Sequence, residues 1–341
     1  MQKMNTYFLA IESSCDDTSC AVLLDTKVLS NVTANQKIHE QYGGVVPELA
    51  SRDHQKNIVP VVDAALKQAG IGLNQLGAIV VTRGPGLMGS LLVGLNFAKS
   101  LALSLNIPLI EVDHMQAHIL AHFADDASES KPQFPFICLT VSGGHTQLVL
   151  MKAPLEMEIL GKTMDDAVGE AFDKAAKILG LPYPGGPLID KYAQTGDARR
   201  FKFADAKIPE YNYSFSGVKT SFLYFIQKEV AKDPDFIEKN LADICASYQE
   251  HLIKTVLKKA KLLLQDTGIR QLAIAGGVSA NSQLRQEVKA LESELGIKTF
   301  IPKFEYCTDN AAMIGVTGYF KFQSSLFSPL NIIPLTSQVT H

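Results

Sequence analysis

Several things are missing from this 341-residue sequence: a Cys-x-x-Cys pair, an excess of basic residues, a long apolar run near its start and any low-complexity tract. Its five cysteines, Cys15, Cys20, Cys138, Cys245 and Cys307, are odd in number, which argues against a disulfide framework or a thiolate zinc site and fits a reducing cytoplasm. With 32 Lys and Arg against 35 Asp and Glu, the formal net charge is −3, so the surface as a whole does not advertise nucleic-acid binding. Any such contact must come from a local patch or a partner. The opening MQKMNTYFLAIE is interrupted by Glu12 too early for an export signal or a membrane span, and neither is expected. The 46% apolar and 20% charged composition is that of a soluble globular protein long enough for two cores.

What is present is alternation. YFLAIE, SSCDDTS and CAVLLD read as strand, polar turn and strand, with another β-rich stretch at KVLSNVT. The same order recurs as FPFICLTV, SGGHT and QLVLMK, a candidate internal duplication. Each hairpin precedes an apolar-periodic helix closed by glycine, PELASRDHQKNIVPVVDAALKQAG and DDAVGEAFDKAAKILG. GAIVVTRGPG then leads into LMGSLLVGLNFAKSLALSLN, and RQLAIAGGVSA into NSQLRQEVKALESELG, which predicts α/β layers with parallel strands. Periodicity lapses near Ser128 to Pro135, so lobes are expected over 1–130 and 131–341, the second with a helical insertion at about 185–265. Lys254, Lys258, Lys259 and Lys261 on a long helix over 237–265 read as a solvated face.

His114 and His118, in EVDHMQAHILAHF, stand four residues apart after the apolar stretch IPLIEV. On a helix that spacing puts both rings on one face with β-carbons ~5–6 Å apart, near enough for one metal ion. A polar helix face is the simpler explanation until a carboxylate joins them. Asp309, in EYCTDNAAMIG, is either the N-cap of the helix that follows or the third ligand of a two-histidine, one-carboxylate centre of iron or zinc type. His122 continues the spacing but is carried along the helix, and is read as structural.

Three glycine pairs complete the set. Gly143 and Gly144 in TVSGGHTQL serve either a hairpin turn or a phosphate cradle of bare N–H groups. Gly276 and Gly277 end a strand and open a helix around Ser279 to Asn281, a place where free N–H donors face a ligand. Gly185 and Gly186 lie near Asp190 in YPGGPLID. Together they suggest the rim of a nucleotide cleft, with Asp173 and Asp190 able to accept hydrogen bonds from hydroxyl groups or simply lying on solvated helices.

At this point the blocks ESSCDDTSCAVL, HMQAHILAHF, TVSGGHTQL, GEAFDKAAK, YPGGP, SFSGVKT, AGGVSANSQLR and CTDNAAMIG, in this order, closely resemble the tRNA N6-adenosine threonylcarbamoyltransferase family, once described as sialoglycoprotease-like. The resemblance covers nearly the whole chain. It implies a duplicated, two-lobed α/β fold of the actin, hexokinase and Hsp70 (ribonuclease H-like) type with a nucleotide cleft between the lobes. The implied activity moves threonylcarbamoyl from threonylcarbamoyl-AMP to the N6 amine of the adenosine 3′ of the anticodon, position 37, in tRNAs reading codons that begin with A. AMP is the other product. The implied metal ligands are His114, His118 and Asp309, holding one Fe(2+) per subunit, with zinc a possible alternative. The implied substrate positions are Thr140, Val141, Ser142, Gly143, Gly144, Asp173, Gly186, Asp190 and Asn281, of which Thr140 departs from the apolar residue frequent in relatives.

Asp16, in the acidic turn, is the candidate general base or water organiser, or else a turn-forming aspartate. A zinc peptidase would need glutamate after the first histidine, where this chain has Met115 and Gln116. An ATP-dependent small-molecule kinase of the same fold is the alternative function, and a scaffold without chemistry is a further one. Expected partners are tRNA and, in a bacterium, a smaller same-fold paralogue and a P-loop ATPase, with no membrane. Arg199, Arg200, Lys202 and the face near Lys258 are possible but weak tRNA contacts.

Overall fold

The computed structural model describes residues 5–125, 130–204 and 208–337, so part of the expected lobe boundary at Ser128 to Pro135 lies outside the described residues. Two compact units emerge, the first comprising Met1–Pro132, Ala153–Glu156 and Pro302–His341, the second Gln133–Lys152 and Met157–Ile301.

In the first unit, β1 (Tyr7–Glu12), β2 (Thr18–Leu24) and β3 (Lys27–Ala34) form an antiparallel meander. Helix α1 (Pro47–Ala69), β4 (Leu76–Gly84), α2 (Met88–Leu105), β5 (Leu109–Asp113) and the short α3 (His114–Leu120) follow, giving a sheet of order β3-β2-β1-β4-β5. Both faces of this sheet are covered, so β1 and β4 read as almost unbroken apolar runs. Leu9, Ile11, Ile79 and Val81 pack on one side with residues of α1 and α2, while Phe8, Ala10, Ala78 and Val80 pack on the other. Helix α2 is long and apolar enough to cross a membrane by composition, yet Leu95, Ala98 and Ala102 belong to this core.

The second unit opens with β6 (Phe136–Val141), β7 (Thr146–Ala153) and β8 (Glu156–Lys162), then α4 (Val168–Ile178), α5 (Gly186–Ala193), α6 (Ser216–Val230) and α7 (Phe236–Thr267). It closes with β9 (Gln271–Ala275), α8 (Ser282–Leu295) and β10 (Lys298–Phe300). Read from the other edge, its sheet order β8-β7-β6-β9-β10 repeats that of the first, with an antiparallel β6–β7 pair and parallel β6–β9 and β9–β10 pairs matching β1–β2, β1–β4 and β4–β5. The repeated hairpins in the sequence thus belong to two copies of one five-stranded topology. Helices α5, α6 and α7 occupy the stretch expected to be a helical insertion.

The chain's last segment departs from the expected division at 130/131. After β10, α9 (Ala311–Gln323) packs with β1 and β2, in the first unit. Its apolar stretch is buried from Ala311 to Val316, and two glycines let it approach closely: a β-carbon at Gly315 would lie 2.2 Å from Leu23 Cδ1, and one at Gly318 2.4 Å from Val80 Cγ1. Strand order, rather than chain order, decides where this helix belongs. Replacing Gly318 with alanine should therefore force a methyl group into stiff, β-branched Val80. Urea unfolding should show Gly318→Ala less stable by about 1–3 kcal/mol.

Candidate functional site

The parallel strands of each sheet end side by side, and both groups of chemistry-bearing residues lie at those ends, the usual ligand-binding edge of an open α/β sheet. In the first unit β5 stops at Asp113, whose side chain caps α3 by accepting from Gln116 N at 2.8 Å. His114 is consequently the first helical residue and His118 lies one turn on, their ring centroids 4.7 Å apart. Both meet Asp309: His114 Nε2 is 3.3 Å and His118 Nε2 3.1 Å from Asp309 Oδ1. The three donor atoms all lie within 4.8 Å of one another, while His122, buried in the turn beyond, stands outside the group.

Asp309 is free for this because it is not the cap. Asn310 caps α9 instead, its Oδ1 accepting from Met313 N at 3.0 Å. Two imidazole nitrogens and a carboxylate oxygen converging on one point form a donor set suited to a divalent transition metal with coordination positions left over. The residues present fit such an ion.

Sequence reasoning passed over the support behind the triad. Glu12, wholly buried at the end of β1, stands 3.1 Å from His114 Nδ1, accepts from Ser14 N at 2.5 Å and accepts from Thr82 Oγ1. The available signal was an acidic residue closing an otherwise apolar strand. Burial opposes charge on His114, but Glu12 and Asp309 overcome it and push its pKa well above the ordinary imidazole value. Burial likewise works against ionised Asp309, whose pKa the two histidines hold well below the usual carboxylate range.

The turn after Glu12 is clamped. Cys15 O accepts from Ser90 Oγ at 2.8 Å and from His54 Nε2 at 3.0 Å, and Leu87 N donates to Ser14 O at 2.8 Å. Asp16 and Asp17 are both partly buried in this turn, and Asn35 Nδ2 donates to Asp17 Oδ1 at 2.7 Å. Burial first, and then the neighbouring Asp16, push the Asp17 carboxyl up to about 7.

In the second unit a cavity of about 300 Å³ is lined by residues including Gly143, Asp173, Gly186, Asp190, Gly277 and Asn281. Several of its polar groups are committed to building its walls. Asp173 Oδ1 accepts from Gly185 N and Gly186 N at 2.8 and 3.2 Å, fixing the glycine turn. Asp190 accepts from Ser282 N, Ser282 Oγ and Gln249 Nε2 at 3.0, 2.7 and 3.1 Å. Asn281 caps α8 through Leu284 N at 2.9 Å, so the helix begins at Ser282, just after the expected Ser279 to Asn281.

The glycine pairs are not alike. Gly276 has φ +88°, and a β-carbon there would lie 2.5 Å from Val141 O, so the fold itself requires glycine. Gly277 and Gly143 lack a left-handed φ and have nothing within 4 Å of a β-carbon, so no described residue calls for glycine at either position, yet both border the cavity. A ligand lying against the backbone would account for them.

A profile of the family described as TsaD, tRNA N6-adenosine threonylcarbamoyltransferase, matches residues 27–316. The chain is 61% identical over 331 residues to the tRNA N6-adenosine threonylcarbamoyltransferase of Christiangramia forsetii, covering 97% of each chain. It is 57% identical to that of Cytophaga hutchinsonii, covering 98% of this chain and 96% of the relative. The chain belongs to the TsaD family. Among solved structures, full-length HypF in a phosphate- and nucleotide-bound form is similar with a TM-score of 0.59, at 12% identity, over 96% of this chain and 48% of that one. The activator of 2-hydroxyisocaproyl-CoA dehydratase from Clostridium difficile is similar with a TM-score of 0.51, at 12% identity, over 94% and 97%. These two likenesses concern the fold alone.

Of the TsaD substrate positions inferred from sequence, Gly143, Asp173, Gly186, Asp190 and Asn281 line the cavity. Thr140 and Val141 are fully buried in β6, where any contribution to a ligand comes through the backbone they place. Ser142 braces the hairpin turn, its Oγ accepting from His145 N at 3.0 Å, and Gly144 is exposed at the tip.

Two outcomes are expected. Gly276→Ala should lower stability by about 1–3 kcal/mol in chemical denaturation, because an L-residue is strained at its φ, whereas Gly277→Ala should melt like the parent and lose affinity for adenine nucleotide in calorimetry. Asp17 contributes a pH dependence of definite sign: its folded pKa of about 7 lies above the ordinary value of 3.8, so the folded state holds the proton longer and stability is lost as pH rises from about 4 to about 7. In EDTA, the stability of Asp17→Asn relative to the parent should rise between about pH 4 and about pH 7 and level off above it.

Proposed function

We propose that this protein transfers the threonylcarbamoyl group from threonylcarbamoyl-AMP to the N6 amine of adenosine 37 in tRNAs reading codons that begin with A. The observation that carries the reading is the close similarity to TsaD relatives over nearly the whole chain, joined to a His114, His118 and Asp309 triad of metal-binding geometry. In the reaction the adenine nitrogen attacks the carbamoyl carbon, a C–N bond forms, the C–O bond to phosphate breaks, and AMP departs. The amine proton must be taken up by a base.

The second unit's cavity is assigned to the adenylate. The N–H groups of Gly143 and Gly144 would hold its phosphate, and Asp173 and Asp190, besides holding the walls, keep lone pairs for ribose hydroxyls. The first unit's triad would hold Fe(2+), which when bound supplies Lewis-acid polarisation of an oxygen. Asp16 is proposed as the base or water organiser, carried on a turn that His54 and Ser90 hold rigid. The five free cysteines support a reducing cytoplasm as the working compartment. A smaller same-fold paralogue and a P-loop ATPase are proposed partners. They would share the docking of tRNA, since the net charge is −3 and Arg200 is already paired with Asp243.

His118→Ala should purify with little iron by elemental analysis and lose modification of tRNA in an assay with labelled threonine, bicarbonate, ATP and the partner enzymes. Full activity in that variant would remove the metal from the reading. Asp16→Asn should retain iron and slow transfer about 100-fold or more, the usual scale of a general base. Near-normal turnover would take Asp16 out of the mechanism.

A further inference from the structure

Glu12 is out of place by composition. It closes β1 after four buried apolar residues, Phe8 to Ile11, and is wholly withdrawn from solvent. A carboxylate in such a place is tolerated only when its oxygens are hydrogen-bonded or paired. The partners come from three separate segments: Thr82 of β4 donates through Oγ1 to Oε2, Ser14 N donates to Oε1 at 2.5 Å, and His114 Nδ1 stands 3.1 Å from Oε2. Thr82 Oγ1 on Oε2 and Ser14 N on Oε1 fix the carboxylate beside the imidazole, whose Nδ1 is nearer to Oε2, at 3.1 Å, than to Ser14 Oγ, at 3.3 Å.

The two histidines therefore differ. When His114 releases one proton to receive a metal, keeping the other on Nδ1, where Glu12 can accept it, leaves the Nε2 lone pair aimed at the point where Asp309 and His118 converge. His118 has no comparable support, because its Nδ1 is buried without a hydrogen-bond partner among the described residues.

We infer that Glu12 is a positioning residue for the metal centre: without being a ligand, it selects the His114 tautomer that can coordinate through Nε2 and strengthens that nitrogen as a donor. This deepens the proposed function and rests on its metal reading. Thr82 is the second part of the device, since it holds the carboxylate to its task. Partners of this kind behind a metal-bound imidazole are typically worth about 10–100-fold in metal affinity.

Co(II) titrated by chelator competition serves as the probe, with the parent, Glu12→Gln, Thr82→Val and His118→Ala compared at matched folding by circular dichroism. Glu12→Gln should bind Co(II) about 10–100-fold more weakly and shift its visible ligand-field bands, with Thr82→Val between it and the parent. A purely structural glutamate would lower the melting temperature in EDTA while leaving Co(II) affinity and spectrum unchanged, and that result overturns the inference. If Glu12→Gln does not fold, nitrogen-15 imidazole spectra of the Zn(II)-loaded parent decide: protonation of His114 at Nδ1 supports the inference, and protonation at Nε2 overturns it. Equal Co(II) binding by the parent and His118→Ala would overturn the metal reading itself and this inference with it, a result distinct from a His118-dependent site that is indifferent to Glu12.

Discussion

The first unit depends on pairing a wholly buried carboxylate and a half-buried one with two buried imidazoles. An ionised Glu12 left alone in the interior would cost several kcal/mol of lost hydration. Together Glu12, His114, His118 and Asp309 satisfy one another, and they come from β1, from the start of α3 and from the loop before α9. The last of these segments is far away in sequence, so the unit cannot be finished until the chain has passed through the whole second unit and returned. The glycine face of α9 serves that return. Only a helix that can lie this close to Leu23 and Val80 delivers Asp309 to the histidines.

Parallel strand ends explain why chemistry gathers where it does. β1, β4 and β5 run in the same direction, so Glu12, Thr82 and His114 emerge together although 102 residues separate the first from the last. The second unit applies the same geometry differently. There β6 and β9 end in the turns that carry Gly143 and Gly277, and what emerges is exposed backbone instead of acid and imidazole.

Much of this was legible in the residues. Turn chemistry and periodicity marked the two hairpins, the helices after them and the glycine ends of strands, because those features depend on neighbours in sequence. Spacing put His114 and His118 on one face, and the resemblance supplied Asp309. What local pattern could not supply was the choice between Asp309 and Asn310 as the helix cap, since either side chain can accept from the first turn. Packing across 191 residues decides it, with Asp309 drawn to His118. The home of α9 was illegible for the same reason, because its apolar stretch suits either sheet. The roles of Asp173, Asp190 and Asn281 were seen from one side only: they border the cavity as expected, but their hydrogen bonds show them holding its walls as well.

The matching strand orders make the β1–β2 turn and the β6–β7 turn equivalent positions in two copies of one topology. One copy carries Asp16 and Asp17 there, the other Gly143 and Gly144. The same loop of one topology thus has opposite electrostatic character in its two occurrences, carboxylate oxygens in the first unit and bare backbone N–H groups in the second.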